Sequence, residues 1–345
     1  MLRFVTTLPA AFIGYLLVIP VSLIIVPFWI FGAFINLIYW ILTKRGALWG
    51  DIIQFKPEIG WQPRPNLNTR YFDRIGDSCR IVTDEEGWPG MNSIDESEIV
   101  VFGDSFAFGY GSDIDRAYFS MVNGYSIKPI SAPGYNMVQE LMLMRRYAQK
   151  LRGKIVVWFI CLENDLADNL KPYNPKFYTN PYLRNNNGTD EWEIVTRHVD
   201  YNQWSYGDKG ISNVTLYAHI CAESEYSNRV FSAVQYLLKE GKDICKKNGA
   251  QLTVISIPYK TQLSKTGIKK LSKQLNGRGK IDPDYPDKKI NGICHELDIP
   301  FIAGTSHLSL NDYKIRDGHW NFRGNRKVAQ IIQDFYTKHH NSQQP

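Results

Sequence analysis

A chain of 345 residues that is 44% hydrophobic and 21% charged has apolar content for one large domain or two ordinary ones, which excludes wholesale disorder. Its 26 glycines and 17 prolines exclude a fibrous or low-complexity protein. Five dispersed cysteines (Cys79, Cys161, Cys221, Cys245 and Cys294) exclude a disulfide framework and a CxxC zinc site, and the net charge of +6 permits attraction to anionic surfaces but falls short of a nucleic-acid footprint.

The overall mean hydropathy of −0.29 hides an uneven start. From Phe4 to Leu42 there is no Asp, Glu, Lys, Arg or His. That run is longer than the apolar region of a secretory signal, and no Ala-x-Ala cleavage site follows it. A membrane core of about 30 Å needs only about 20 helical residues. Residues 1–45 are therefore expected to form a transmembrane helical segment, either one long span or a hairpin broken near Pro20 and Pro27. Trp29, Tyr39 and Trp40 suit an interfacial belt. A hairpin would put Arg3, Lys44 and Arg45 on one, cytoplasmic, side; a single span leaves the orientation open. The expectation is an integral protein, with membrane lipid as a partner, in a bacterial cell membrane.

Residues 46–96 read as a connector, dense in turn formers such as Gly60-Trp61-Gln62-Pro63 and Gly87-Trp88-Pro89-Gly90. An α/β alternation then begins. Glu98–Phe102 and Lys154–Ile160 are short apolar runs with the form of buried strands, and Pro129–Ser131 is a weaker third. Gln251–Ile257 and Ile299–Ile302 complete the strand set. Helices are expected over Met137–Leu151, Ala222–Lys247 and Asn321–Lys338. Strands alternating with helices argue a parallel sheet covered on both faces. Residues 169–215, rich in Asn, Tyr, Pro and Gly, interrupt the rhythm as a functional insertion. Residues 260–289 carry nine Lys/Arg against three Asp, to be read as a solvated face or as contact with lipid head groups or an anionic polymer.

The first strong strand ends in Gly103-Asp104-Ser105-Phe106. Open α/β sheets bind ligands at the carboxyl ends of their strands, and a serine opening a helix there sits among backbone N–H groups. The tripeptide alone is also explained by a helix cap. The glycines here match neither GxGxxG nor a P-loop, so no nucleotide is expected. Three further pieces follow strand ends or open a helix: Ser131-Ala132-Pro133-Gly134-Tyr135, Leu162-Glu163-Asn164-Asp165, and Asp317-Gly318-His319-Trp320-Asn321. Their common order and placement are more specific than any one of them. Asp165 with Asp168 admits a weaker reading as a metal or glycoside carboxylate pair, without a partner at the required spacing.

These blocks resemble the SGNH/GDSL hydrolase superfamily of esterases and acyl-transfer enzymes over residues 97–340. The resemblance implies an α/β, flavodoxin-like three-layer sandwich around a parallel sheet. It implies Ser105 as nucleophile, His319 as general base and Asp317 as its carboxylate partner. The oxyanion hole would comprise Ser105, Gly134 and Asn164. Two positions depart from the family pattern: Leu162 stands where the third block carries glycine, and Asp317 lies two residues before His319 rather than three. The Asp-x-His-Trp-Asn form is similar to the membrane-associated polysaccharide O-acetyltransferase branch, with Asp312 as a weaker candidate acid.

The resulting expectation is a membrane-anchored serine esterase acting on an acylated small molecule, glycan or lipid. It needs no cofactor or metal and binds no nucleic acid. An O-acyltransferase with the same triad, and a catalytically inactive binding subunit, are the alternatives. The inactive form would have Ser105 blocked or His319 out of reach.

Overall fold

The computed structural model describes residues 26–34, 49–72, 77–171, 180–185, 191–196, 213–275 and 280–342. The chain divides into two units, Met1–Gly46 and Ala47–Pro345. In the first, residues 26–34 form helix α1. Its Val26, Phe28, Trp29, Ile30, Phe31 and Phe34 are all more than half exposed. Among the described residues no helix is long and apolar enough to cross a membrane. The rest of the Phe4–Leu42 run lies outside the described residues.

The second unit opens with a helical turn, α2 (Trp49–Ile52), and two antiparallel hairpins. These are β1 (Ile53–Lys56) with β2 (Gly60–Pro63), and β3 (Asn68–Phe72) with β4 (Ser78–Val82). This is the stretch read from sequence as a connector, and that reading needs correcting. Ile52, Trp61 and Trp88 are fully buried in the same apolar cluster as the main sheet. The strands are only four or five residues long, and β2 is buried at every position, so no alternation is available to reveal it.

The α/β body follows in order: β5 (Ile99–Gly103), a single turn α3 (Ser105–Phe108), β6 (Ile127–Ser131), α4 (Met137–Arg146), β7 (Ile155–Cys161) and α5 (Asp165–Asp168). Within the 169–215 insertion, the described residues form a hairpin of β8 (Tyr182–Asn185) and β9 (Trp192–Val195), then the start of α6 (Asn213–Ile220). The remaining elements are α7 (Glu225–Lys247), β10 (Gln251–Ile257), α8 (Lys265–Gln274), α9 (Tyr285–Glu296), β11 (Phe301–Ile302) and α10 (Phe322–Ser342).

Boundaries differ from the sequence expectation where capping decides them. The helix expected to run to Leu151 ends at Arg146, and Ala148–Leu151 is a tight 3-10 turn. The helix expected from Ala222 starts at Glu225, because Ser224 and Ser227 form a reciprocal capping box. Strand β6 starts at Ile127, two residues before the expected Pro129. Proline is tolerated inside it because β6 is an edge strand.

The five strands of the main sheet are all parallel, in the order β11-β10-β7-β5-β6. Numbered 1 to 5 along the chain, they run 2-1-3-4-5, the flavodoxin-like order of a doubly wound sheet. Alternate residues feed two apolar clusters. Val100, Phe102, Val156, Trp158 and Val254 face the α4 and α7 side, while Val101, Val157, Phe159, Ile255 and Ile257 face Trp320 and α10. Both faces are buried, which is why β5 and β7 read as continuous apolar runs. All five cysteines are buried and free.

The first hairpin reaches the loop after β6. Trp61 Nε1 donates to Pro133 O at 3.0 Å, and the Tyr135 hydroxyl donates back to Trp61 O at 2.6 Å. The Pro133–Tyr135 turn is thus clamped by a residue more than seventy positions upstream. Replacing Trp61 with Phe keeps most of the apolar volume but leaves the Pro133 carbonyl buried without its donor. Such an orphan costs about 1–3 kcal/mol. Urea unfolding should show a loss of that order for Trp61→Phe, and an unchanged midpoint would mean the carbonyl finds another donor.

Candidate active site

The strand order reverses between β5 and β7, and ligands of doubly wound sheets bind in the crevice beyond the strand ends there. Ser105 lies just past β5 and Asn164 just past β7, on the two sides of that crevice. A Cβ on Gly103 would sit 2.8 Å from the Ala107 Cβ and 3.0 Å from the Phe159 Cβ, so the turn from strand into α3 closes only around glycine. Asp104 caps α3 by accepting the Phe106 N–H at 2.9 Å. Gly109 ends the turn in the left-handed region, at φ 73°. The result holds Ser105 on a rigid corner with 8% of its surface exposed.

His319 arrives on the loop before α10. Tyr313 and Trp320 form an antiparallel bridge across that loop, and Lys314 N–H donates to His319 O at 2.9 Å. Trp320 is 2% exposed and lies among Phe106, Tyr118 and Phe159. The Asn321 amide donates to Asn311 O and Tyr313 O, and its oxygen accepts the Gly324 N–H in the first turn of α10. Trp320 and Asn321 thus fix the loop that carries the imidazole. The ring packs against Phe106 at 5.0 Å and Tyr110 at 4.7 Å between centroids.

Ser105, His319 and Asp317 come together. His319 Nε2 is 2.7 Å from Ser105 Oγ, and His319 Nδ1 is 2.6 Å from Asp317 Oδ1. The same Asp317 oxygen accepts the His319 backbone N–H at 3.1 Å. A carboxylate on Nδ1 favours the tautomer protonated there, which leaves the Nε2 lone pair facing the serine. Burial alone would raise the Asp317 carboxyl. The hydrogen bond and charge of the His319 ring, the His319 N–H and the charge of Lys314 outweigh it and bring the group down to about 2.

The two-residue spacing works because Asp317 and His319 sit on a tight loop rather than a helix. Asp312, the other candidate acid, is committed elsewhere. It is fully buried, with Lys327 Nζ at 2.6 Å, Arg323 Nε at 2.9 Å and the Ser309 N–H at 2.8 Å.

Asn164 precedes α5 but makes no side-chain cap to it. Its amide instead donates to Asp104 Oδ2 at 3.3 Å, the oxygen that also lies 3.3 Å from Ser105 Oγ. The serine hydroxyl and the Asn164 amide therefore meet on one carboxylate oxygen. Burial raises the Asp104 carboxyl; the Phe106 N–H, the His319 charge and the two side-chain donors pull the other way without cancelling it. The sequence marked Asp104 only as a turn or cap residue; its position inside the motif was the available signal.

Gly134 has φ 81° and follows Ser131, which is in register with Gly103, so its loop runs beside the serine corner. Leu162, at the glycine position of the third block, is fully buried and donates its N–H to Ile257 O. Asp165 and Asp168 do not act as a pair: Asp165 accepts the Cys161 N–H at 2.6 Å, and Asp168 binds Lys171 Nζ at 2.5 Å. Burial, then the charges of Asp104 and Glu140, push the Asp165 carboxyl well up.

The chain is similar to several solved structures. One is a GDSL-like lipase from Bacteroides thetaiotaomicron, at 15% identity over 72% of this chain and 92% of that one, with a TM-score of 0.38. Another is the psychrotrophic esterase EstA from Pseudoalteromonas sp., at 11% identity over 70% of this chain and 98% of that one, with a TM-score of 0.37. An extracellular lipase from Streptomyces rimosus matches at 11% identity over 69% and 99%, with a TM-score of 0.39. No family model matches the chain, and no curated protein does.

The Asp317 environment has a consequence in acid. A carboxylate whose folded value is depressed stabilises the fold above the unfolded value of about 3.9 and loses that contribution as pH falls through the folded one. The gap in unfolding free energy between the parent and Asp317→Asn should therefore shrink as the pH falls from about 4 toward about 2. A gap that stays constant across that window, measured by urea unfolding, would show that the Asp317 charge is not held by His319.

Proposed function

We propose that this chain is a membrane-anchored serine esterase of SGNH type that cleaves an O-acyl ester on a glycan or lipid through acyl-Ser105. The single observation that carries the reading is the 2.7 Å contact between Ser105 Oγ and His319 Nε2, with Asp317 on the opposite ring nitrogen. A serine hydroxyl is a weak nucleophile at neutral pH and needs a base within hydrogen-bond reach. That same contact speaks against the inactive-subunit alternative.

In the first half-reaction Ser105 Oγ attacks the ester carbonyl, and its proton passes to His319 Nε2. Asp317 holds the resulting imidazolium. The carbonyl oxygen, now negative, is received by the Ser105 and Gly134 N–H groups and the Asn164 amide. For this, Asn164 exchanges its hydrogen bond to Asp104 for one to the oxyanion. His319 then returns its proton to the leaving alkoxide, and the alcohol departs. In the second half-reaction His319 takes a proton from water as the water oxygen attacks acyl-Ser105; the Ser105 Oγ–acyl bond then breaks, His319 returns the proton to Ser105 Oγ, and the carboxylic acid leaves. O-acyl transfer differs only in that a sugar hydroxyl replaces the water.

Anchoring is supported by the uncharged stretch from Phe4 to Leu42 and by the exposed apolar side chains of α1. The substrate class follows from that tether, which favours esters displayed at or near a membrane.

The test is hydrolysis of a short-chain fluorogenic acetyl ester by the detergent-solubilised full chain. Turnover should vanish in Ser105→Ala. Asn164→Ala should lower kcat by about 10²–10³-fold, the range for one oxyanion donor. Asp317→Asn should cost up to about 10⁴-fold. Equal background rates in the parent and Ser105→Ala would sink the esterase reading, and turnover that appears only with an added glycan acceptor would replace it with the transferase.

A further inference from the structure

The loop bearing Asp317 and His319 is anchored at both ends. At one end Tyr313 bridges Trp320, and its hydroxyl donates to Pro258 O at 2.8 Å. At the other, Trp320 is buried and Asn321 caps α10. Among the described residues its tip has no comparable apolar hold. Ile315 is 95% exposed, and a Cβ on Gly318 would meet nothing nearer than Glu163 Oε2 at 3.7 Å. Yet the tip sets Asp317, and through it the imidazole.

What fills the tip is an ammonium. Lys260 opens the 3-10 turn Lys260–Leu263, just past the end of β10. Its Nζ donates to Lys314 O, to Ile315 O at 2.9 Å and to Asp317 O at 3.1 Å. A lysine ammonium has three donors and no acceptor, and here it meets three carbonyls spread over four consecutive residues. Hydrogen bonds from a charged donor are about twice as strong as neutral ones. The group is half-buried, and burial lowers it while the Asp317 charge opposes that shift. Lys260 belongs to the basic stretch 260–289, but Lys265, Lys269, Lys270 and Lys273 of that stretch are exposed on α8, whereas Lys260 turns inward.

We propose that Lys260 is a positioning residue for the acid–base pair: its ammonium ties the 314–317 tip to the end of β10 and so holds Asp317 and His319 in line with Ser105. The proposal builds on the acyl-Ser105 reading. Lys260 touches no reacting atom; it acts through the loop backbone. Misplacing catalytic groups by about 1 Å costs about 10²-fold in rate.

The experiment compares the full chain with Lys260→Met, which keeps the apolar stem, and Lys260→Ala, which leaves room for a small amine. Three quantities are read: kinetics on the acetyl ester, thermal midpoint, and amide hydrogen exchange of peptides covering 313–321. The expected result is a fall in kcat of about 10- to 100-fold with KM within about twofold. Exchange should rise in 313–321 but not in β5 or β7, and ethylammonium, but not tetramethylammonium, should restore part of the Lys260→Ala rate. Unchanged kcat in Lys260→Met overturns the proposal, as does exchange that rises throughout the sheet together with a fallen midpoint. Exchange is independent of turnover, so the two readings fail separately. If the parent and Ser105→Ala share a background rate, the esterase reading falls. Unchanged protection of 313–321 in Lys260→Met overturns the loop-holding role whatever the turnover.

Discussion

One hydrogen bond, between Ser105 Oγ and His319 Nε2, joins residues 214 positions apart, and much of the surrounding architecture serves to bring its two ends within reach. On the serine side the constraint is steric. Strand β5 must turn into α3 within one residue, and the space at Gly103 is taken by Ala107 and Phe159. On the histidine side the constraint is anchorage. The 313–321 loop has little secondary structure of its own, so Trp320 in the core, Asn321 at the α10 cap and Lys260 inside the tip set its shape. Phe106 links the two sides, since it packs on both the His319 ring and Trp320.

The hairpins before the sheet belong to the same machinery. Trp61 exchanges hydrogen bonds with the Pro133–Tyr135 turn, and the Gln139 amide reaches back to Ile59 O at 2.6 Å. Strand β6 is an edge strand, and these contacts hold the loop that follows it. A segment that reads in sequence as a connector is part of the packing around the loop after β6, beside the serine corner.

Burying a carboxylate beside the Ser105 hydroxyl is costly unless it finds donors. Asp104 has them: the Phe106 N–H and the Asn164 amide. The Asp104 oxygen that lies 3.3 Å from Ser105 Oγ also accepts the Asn164 amide. In the proposed reaction, substrate has to compete with Asp104 for that amide.

Elements with strong local signals can be read from the chain alone. The strands at 99–103, 155–161 and 251–257 are legible because they are buried on both faces and therefore mostly apolar. The blocks around Ser105, Gly134, Asn164 and His319 are legible as positions because each follows a strand or opens a helix. The remainder depends on packing between distant elements. Strands of four or five residues in the 46–96 region carry too few positions for a period, so their burial depends on what packs over them. The choice of Asp317 over Asp312 rests on which carboxyl Lys327 and Arg323 claim, a matter of α10 packing rather than spacing. The inward turn of Lys260, in a stretch of otherwise outward lysines, follows from where β10 ends relative to a loop more than fifty residues away. Composition cannot distinguish a lysine that meets water from one that meets three carbonyls.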